Sequence, residues 1–205
     1  MIKINMKSIP LILMVTRLIF GFVILLLSFL KPDHFGFIII SLIVLGVLTD
    51  IFDGIIARRL KLSTQKLRRL DSSIDQVFWI CTLIGTSLLC PDFFKVNFIK
   101  MIALISAEVL IYIISYVKFK KEVATHAILS KIWTLTLMGV LIQIVLTCNS
   151  NFLFNLCFYL GIISRVEIMG ILLILKRWTN DVPSIYHAVL LRQGKTIKRN
   201  KLFNG

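Results

Sequence analysis

This chain has little charge, and little of that is negative. Only 17% of its residues are charged, and 24 lysines and arginines stand against 10 aspartates and glutamates. With 58% hydrophobic residues and a mean hydropathy of +0.90, the chain is too apolar for an ordinary soluble domain. Histidine and cysteine are also sparse. His34, His126 and His187, and Cys81, Cys90, Cys148 and Cys157, show no metal-ligand spacing, which argues against a zinc or redox centre. The cysteines read as small, lipid-compatible side chains; Cys148 and Cys157 flank a short outer turn. No internal repeat and no low-complexity segment is present. The first apolar run, Ile9–Leu30, is too long for a signal-peptide core and lacks a small-x-small cleavage site, so a cleaved leader is not expected.

What is there is long apolar runs. A bilayer crossing takes about 20 residues, and six stretches qualify: Ile9–Leu30, Phe35–Ala57, Asp71–Cys90, Phe98–Val117, Lys131–Cys148 and Phe152–Leu175. The expected fold is an all-α polytopic membrane protein, a single bundle of about six transmembrane helices over residues 1–205. Pro32 and Pro91 mark tight turns, and Asn149-Ser150-Asn151 ties the last two spans into a hairpin.

Lysine and arginine orient the bundle. The link between spans two and three holds Arg58, Arg59, Lys61, Lys66, Arg68 and Arg69; the next even link holds Lys118, Lys120 and Lys121. The tail holds Lys176, Arg177, Arg192, Lys195, Lys198, Arg199 and Lys201, whereas the odd links hold little beyond Lys31, Lys95 and Lys100. Positive loops stay in the cytoplasm, so both termini are expected there. The formal net charge of +14 therefore reads as membrane topology and attraction to anionic lipid, and no nucleic-acid partner is expected. The basic tail after residue 175, with Trp178 at its start, reads as a lipid-surface anchor.

The few acids are concentrated. Asp50 and Asp53 are spaced i, i+3, and Asp71 and Asp75 i, i+4, so on helices each pair projects from one face. Both pairs abut apolar runs, where uncompensated carboxylates are costly. One or two divalent cations between them would compensate the charge, and oxygen-bound metal suits phosphate chemistry. Gly54 admits close approach of backbone or ligand, Ala57 keeps the next turn small, and Arg58 is placed to grip a phosphate with two parallel hydrogen bonds. One carboxylate can then serve as base toward an attacking hydroxyl. The competing reading pairs the same acids with the cations of the adjacent basic link.

This spacing resembles the signature of the CDP-alcohol phosphatidyltransferases: Asp, two residues, Asp-Gly, two residues, Ala-Arg, eight residues, Gly, three residues, Asp, three residues, Asp. The chain matches at Asp50, Asp53, Gly54, Ala57, Arg58, Asp71 and Asp75, a coincidence of about one in a billion per start position at ordinary residue frequencies. Pro10 to Arg17 resembles the family's first-span opening, and Lys131-Ile-Trp-Thr134 its Lys-x-x-Thr opening of the fifth span. The departure is Leu67, where the signature has its second glycine; it bears on how closely a nucleotide packs there. The resemblance implies a CDP-linked donor, CDP-diacylglycerol ahead of a soluble CDP-alcohol, and a polar alcohol acceptor. It implies two Mg2+ or Mn2+ ions on Asp50, Asp53, Asp71 and Asp75, with Gly54, Ala57 and Arg58 lining the nucleotide and diphosphate. It further implies Asp75 as general base, CMP as leaving group, a role in phospholipid biosynthesis and a homodimer. The expected place is the bacterial inner membrane, with the acids on the cytoplasmic side.

Three further basic residues are candidates for acceptor or phosphate contacts: Arg17, Lys131 and Arg165. Arg17 either reaches a diphosphate or snorkels to the interface. Arg165, about 15 Å deep in the last span, either contacts a polar ligand or pairs with Glu108. Lys131 either assists an anionic acceptor or anchors its helix at the interface. Two other function classes compete with the transferase: a divalent-cation-binding or transporting protein, and a relative that has lost catalysis.

Overall fold

The computed structural model describes residues 8–60, 62, 64–121, 123, 127–180 and 182–197. Lys3, Lys7, Lys61, His126, Lys198, Arg199 and Lys201 lie outside them. The described residues form helices: α1 (Ile9–Leu30), α2 (Phe35–Arg59), α3 (Gln65–Leu89), α4 (Pro91–Val96), α5 (Phe98–Phe119), α6 (Ile128–Thr147), α7 (Asn151–Ile174) and α8 (Ile185–Arg192). Six of these, all but α4 and α8, are long and apolar enough to cross a membrane. The helices form because long apolar runs in lipid must satisfy every backbone group internally. They stop where the chain carries a local reason. Lys31 takes a left-handed C-cap just before Pro32, Lys120 takes another after α5, and the Thr64 hydroxyl accepts from Leu67 N at 3.2 Å to open α3.

The chain divides into two compact units, residues 1–94 with 141–149, and residues 95–140 with 150–205. In the first unit α1 packs on both α2 and α3. The contact face of α1 is Pro10, Met14, Arg17, Gly21, Ile24 and Ser28, all buried. Its other side, including Leu11, Val15, Ile19, Phe22 and Leu26, is exposed apolar surface suited to lipid. Small residues let the helices approach, the usual solution where lipid removes the hydrophobic drive. The Phe78 ring fills the space beside Gly46, and a Cβ on Gly21 would lie 3.2 Å from the Phe78 Cα. One to two turns beyond Phe78, on the same face of α3, come Asp75 and Asp71. The packing of Phe78 thus positions the acids.

In the second unit α7 packs on α5 and α8. Its core includes Ile111, Ala127, Ile168, Ile171, Leu172, Leu175, Val182 and Ala188.

Three expectations need correction. Helix α3 begins six residues earlier than Asp71, so Asp71 sits inside the helix and the basic link contracts to a few residues. The described start of the tail is not a simple lipid-surface anchor: Val182 and Ala188 are fully buried, Ile128 N donates to Pro183 O, and Arg192 reaches Ile174 O. The apolar face of α8 therefore belongs to the protein core. Finally, Cys148 pairs with Cys90 in a disulfide that joins the C-terminal ends of α3 and α6, while Cys157 and Cys81 are free and buried. Spacing along the chain could not find this bridge, because its cysteines are 58 residues apart.

Candidate metal and diphosphate site

Three helices of the first unit build the acid cluster. α2 contributes Asp50 and Asp53, nine and six residues before its end, α3 contributes Asp71 and Asp75 in its second and third turns, and α1 contributes Arg17. Each acidic side chain lies on a stripe that faces α1: Ile39, Ile43, Gly46, Asp50, Asp53 and Ala57 along α2, and Asp71, Asp75, Phe78 and Thr82 along α3. Their i, i+3 and i, i+4 spacing is what brings them to one face.

Arg17 occupies the middle of the cluster. Its Nη1 donates to Asp50 Oδ1 at 3.0 Å and to Asp71 Oδ1 at 3.3 Å, and forms an ion pair with Asp75; its Nη2 donates to Asp53. The arginine is 1% exposed and Asp53 is 0% exposed, whereas the Asp50, Asp71 and Asp75 side chains are 42%, 28% and 30% exposed. The cluster therefore has a closed floor at Asp53 and an open side at the other three acids. Arg17 does not snorkel. Its face of α1 also carries the buried Gly21 and Ser28, small residues at helical spacing that the sequence reading did not use.

The donor set suits a hard divalent cation. Asp50, Asp53 and Asp71 each offer one oxygen, and these lie within 4.8 Å of one another. Octahedral oxygen coordination at about 2.1 Å separates ligand atoms by about 3.0–4.2 Å, so a modest inward shift closes the site. Asp53 Oδ1 is buried with no hydrogen-bond partner, and a buried carboxylate oxygen left so is costly unless a cation takes it.

Around the acids, Gly54 is in place for close approach: a Cβ there would lie 3.3 Å from Nη1 of Arg58, whose guanidinium folds back over the glycine. Ala57 is buried one turn on. Leu67 is part of the first turn of α3, with its N–H held by Thr64, so the signature's second glycine position is helical here.

Lys131 and Arg165 belong to the second unit. Arg165 is 7% exposed, its Nε donates to Glu108 Oε2 at 3.0 Å, and its guanidinium lies 3.6 Å from the Trp133 ring centroid. Of its two expected partners it has taken Glu108. Stacking on an indole suits an arginine removed from water.

A six-span helical protein with four carboxylates converging beside a glycine and an arginine defines a class: an integral membrane protein with an acidic cluster able to take a metal ion. The family model described as CDP-alcohol phosphatidyltransferase matches residues 7–178, and the chain belongs to that family. Membership supports transfer of a phosphatidyl group that involves a CDP-alcohol. No curated protein and no solved structure matches the chain.

Proposed function

We propose that the protein transfers a phosphatidyl group from CDP-diacylglycerol to a polar alcohol with release of CMP, as a step of phospholipid biosynthesis. The observation that carries this reading is the convergence of Asp50, Asp53, Asp71 and Asp75 on one point, beside Gly54 and Arg58, in a chain of this family. A soluble CDP-alcohol is the second donor.

Asp50, Asp53, Asp71 and Asp75 would hold two Mg2+ or Mn2+ ions. Bound there, the ions supply charge withdrawal from the diphosphate and so improve CMP as a leaving group. Arg58 grips the diphosphate with its planar fork. Gly54 and Ala57 leave room for the nucleotide beside the backbone. Asp75, exposed on the open side, accepts the proton of the acceptor hydroxyl as that oxygen attacks the phosphorus on the lipid side; the bond to CMP breaks and CMP leaves with the electron pair.

The cytoplasmic placement of this chemistry has two independent supports. The first is the lysine and arginine bias of the links. The second is the disulfide. Cys90 lies about 28 Å along α3 from Asp71 at 1.5 Å per residue, close to the thickness of a bilayer core of about 30 Å. Disulfides persist in oxidising compartments, so the acids belong to the reducing, cytoplasmic side of the proposed bacterial inner membrane. We read residues 1–205 as one functional domain, and a homodimer as its assembly.

The test is a CMP-release assay on protein in lipid nanodiscs, with labelled CDP-diacylglycerol, Mg2+ or Mn2+, and a panel of acceptors: glycerol phosphate, inositol phosphate, serine and amino alcohols. Metal-dependent CMP release with one acceptor class is expected. Movement of Mn2+ into liposomes with no CMP release from any acceptor would instead select the transporter reading.

A further inference from the structure

We infer that Arg17 is a resident substitute for the divalent ions: it holds the four carboxylates together in metal-free protein and gives up that position when metal loads. The inference rests on the metal assignment above. Its geometric basis is exclusion. The guanidinium edge lies against Asp50, Asp53 and Asp71, the same three acids whose oxygens are spaced for one ion. An ion drawn in by those oxygens and the guanidinium cannot share that space.

Charge argues the same way. Four carboxylates outnumber the guanidinium of Arg17 and that of Arg58, whose charge also acts on Asp71, so the cluster stays net negative beside an apolar bilayer. Two divalent ions neutralise the four acids alone, and an arginine left among them becomes a surplus buried cation. Turned outward, Arg17 and Arg58 together match the two negative charges of a diphosphate.

Hydrogen bonding shows that the present arrangement is poised. A guanidinium has five N–H donors, and the Nε of Arg17 is buried with no partner, as is Oδ1 of Asp53. A static structural pair would satisfy both; here two orphaned polar atoms remain at the contact that metal would rearrange. Arg17 is thus a positioning residue. It acts through the acids, keeping four like charges assembled so that the site need not form anew at each loading.

The test measures Mn2+ binding by calorimetry and by the EPR signal of free Mn2+, with thermal unfolding in parallel, on full-length protein in nanodiscs. In Arg17→Gln the competing cation is gone, and Mn2+ affinity is expected to rise about tenfold or more, the scale of one unit charge a few ångströms from the ion. The metal-free variant is expected to unfold at lower temperature than wild type, with the difference disappearing at saturating Mn2+. Arg17→Lys, which keeps charge but loses the fork, is expected to fall between. If metal-free Arg17→Gln does not survive purification, the protein is prepared with Mn2+ and titrated with chelator; the variant is expected to need more chelator than wild type. Unchanged or weaker Mn2+ binding in Arg17→Gln, with wild type still binding Mn2+ and Asp53→Asn not, overturns this inference and leaves the metal assignment standing. Absence of Mn2+ binding in wild type overturns both.

Discussion

Arg17 and Asp53 form the floor of the acid cluster: both side chains are closed off from solvent, they are bonded to each other, and each keeps one polar atom without a partner. A buried ion pair left incompletely satisfied contributes little net stability, yet losing either member exposes the other as an uncompensated charge. Most of what can be tested about this protein turns on that asymmetry.

Asp53→Asn should weaken Mn2+ binding by at least about 100-fold, since it removes a proposed direct ligand where even outer partners are worth 10–100-fold. CMP release should fall with it. Calorimetry against wild type checks the first and the nanodisc assay the second. Retained affinity would remove Asp53 from the ligand set.

Asp75→Asn should lower single-turnover CMP release by about 100-fold to 10,000-fold, the range of a general base, while CDP-diacylglycerol binding survives in part. Equal turnover in the variant and wild type would take the base role away from Asp75.

The acids depend on packing one and two turns away. A Cβ on Gly46 would run into the Phe78 ring, so Gly46→Ala should cost about 1–3 kcal/mol through overpacking. Phe78→Leu in the same chain should recover part of that loss by making room. Thermal unfolding of the single and double variants measures the coupling; strictly additive losses would mean that the two residues do not share the space.

Leu67→Gly introduces glycine into the first turn of α3, at an expected stability cost of about 1 kcal/mol. If the signature's glycine serves the nucleotide, the same change alters donor KM. A stability loss with donor KM and nucleotide preference unchanged would put position 67 outside the pocket.

The bridge between Cys90 and Cys148 closes a separation of 58 residues. Cys90→Ser should lower stability by about 2–4 kcal/mol on the chain-entropy account. Membrane-impermeant maleimide applied to whole cells should label Cys148 in that variant, and neither cysteine of oxidised wild type. Labelling of Cys148 only after the membrane is opened would reverse the orientation of the acids.

The extent to which the sequence was legible varied with the range of the interaction. The apolar runs at Ile9–Leu30 and Phe98–Val117 translate almost residue for residue into α1 and α5, because a lipid-embedded chain has no alternative to helix. The start of α3 was not legible. Lys66, Arg68 and Arg69 look like loop in a hydropathy reading, but the Thr64 cap and the helix propensity of lysine and arginine carry the helix through them. The tail was misread for a similar reason. Its basic residues suggest a lipid surface, and only the burial of Val182 and Ala188 reveals α8 as part of a core.

Composition and spacing alone determined that the chain crosses a membrane with six helices, and that Asp50, Asp53, Asp71 and Asp75 project in pairs from two of them. Both follow from local geometry, the length of a bilayer and the pitch of a helix. The partner of those acids was decided only by tertiary structure. Arg17 lies 33 residues before Asp50 and 54 before Asp71, and no helical period links residues on separate helices. The close approach of α1 to α2 and α3 around Gly21, Gly46 and Phe78 brings the arginine among the carboxylates, just as packing alone joins Cys90 to Cys148.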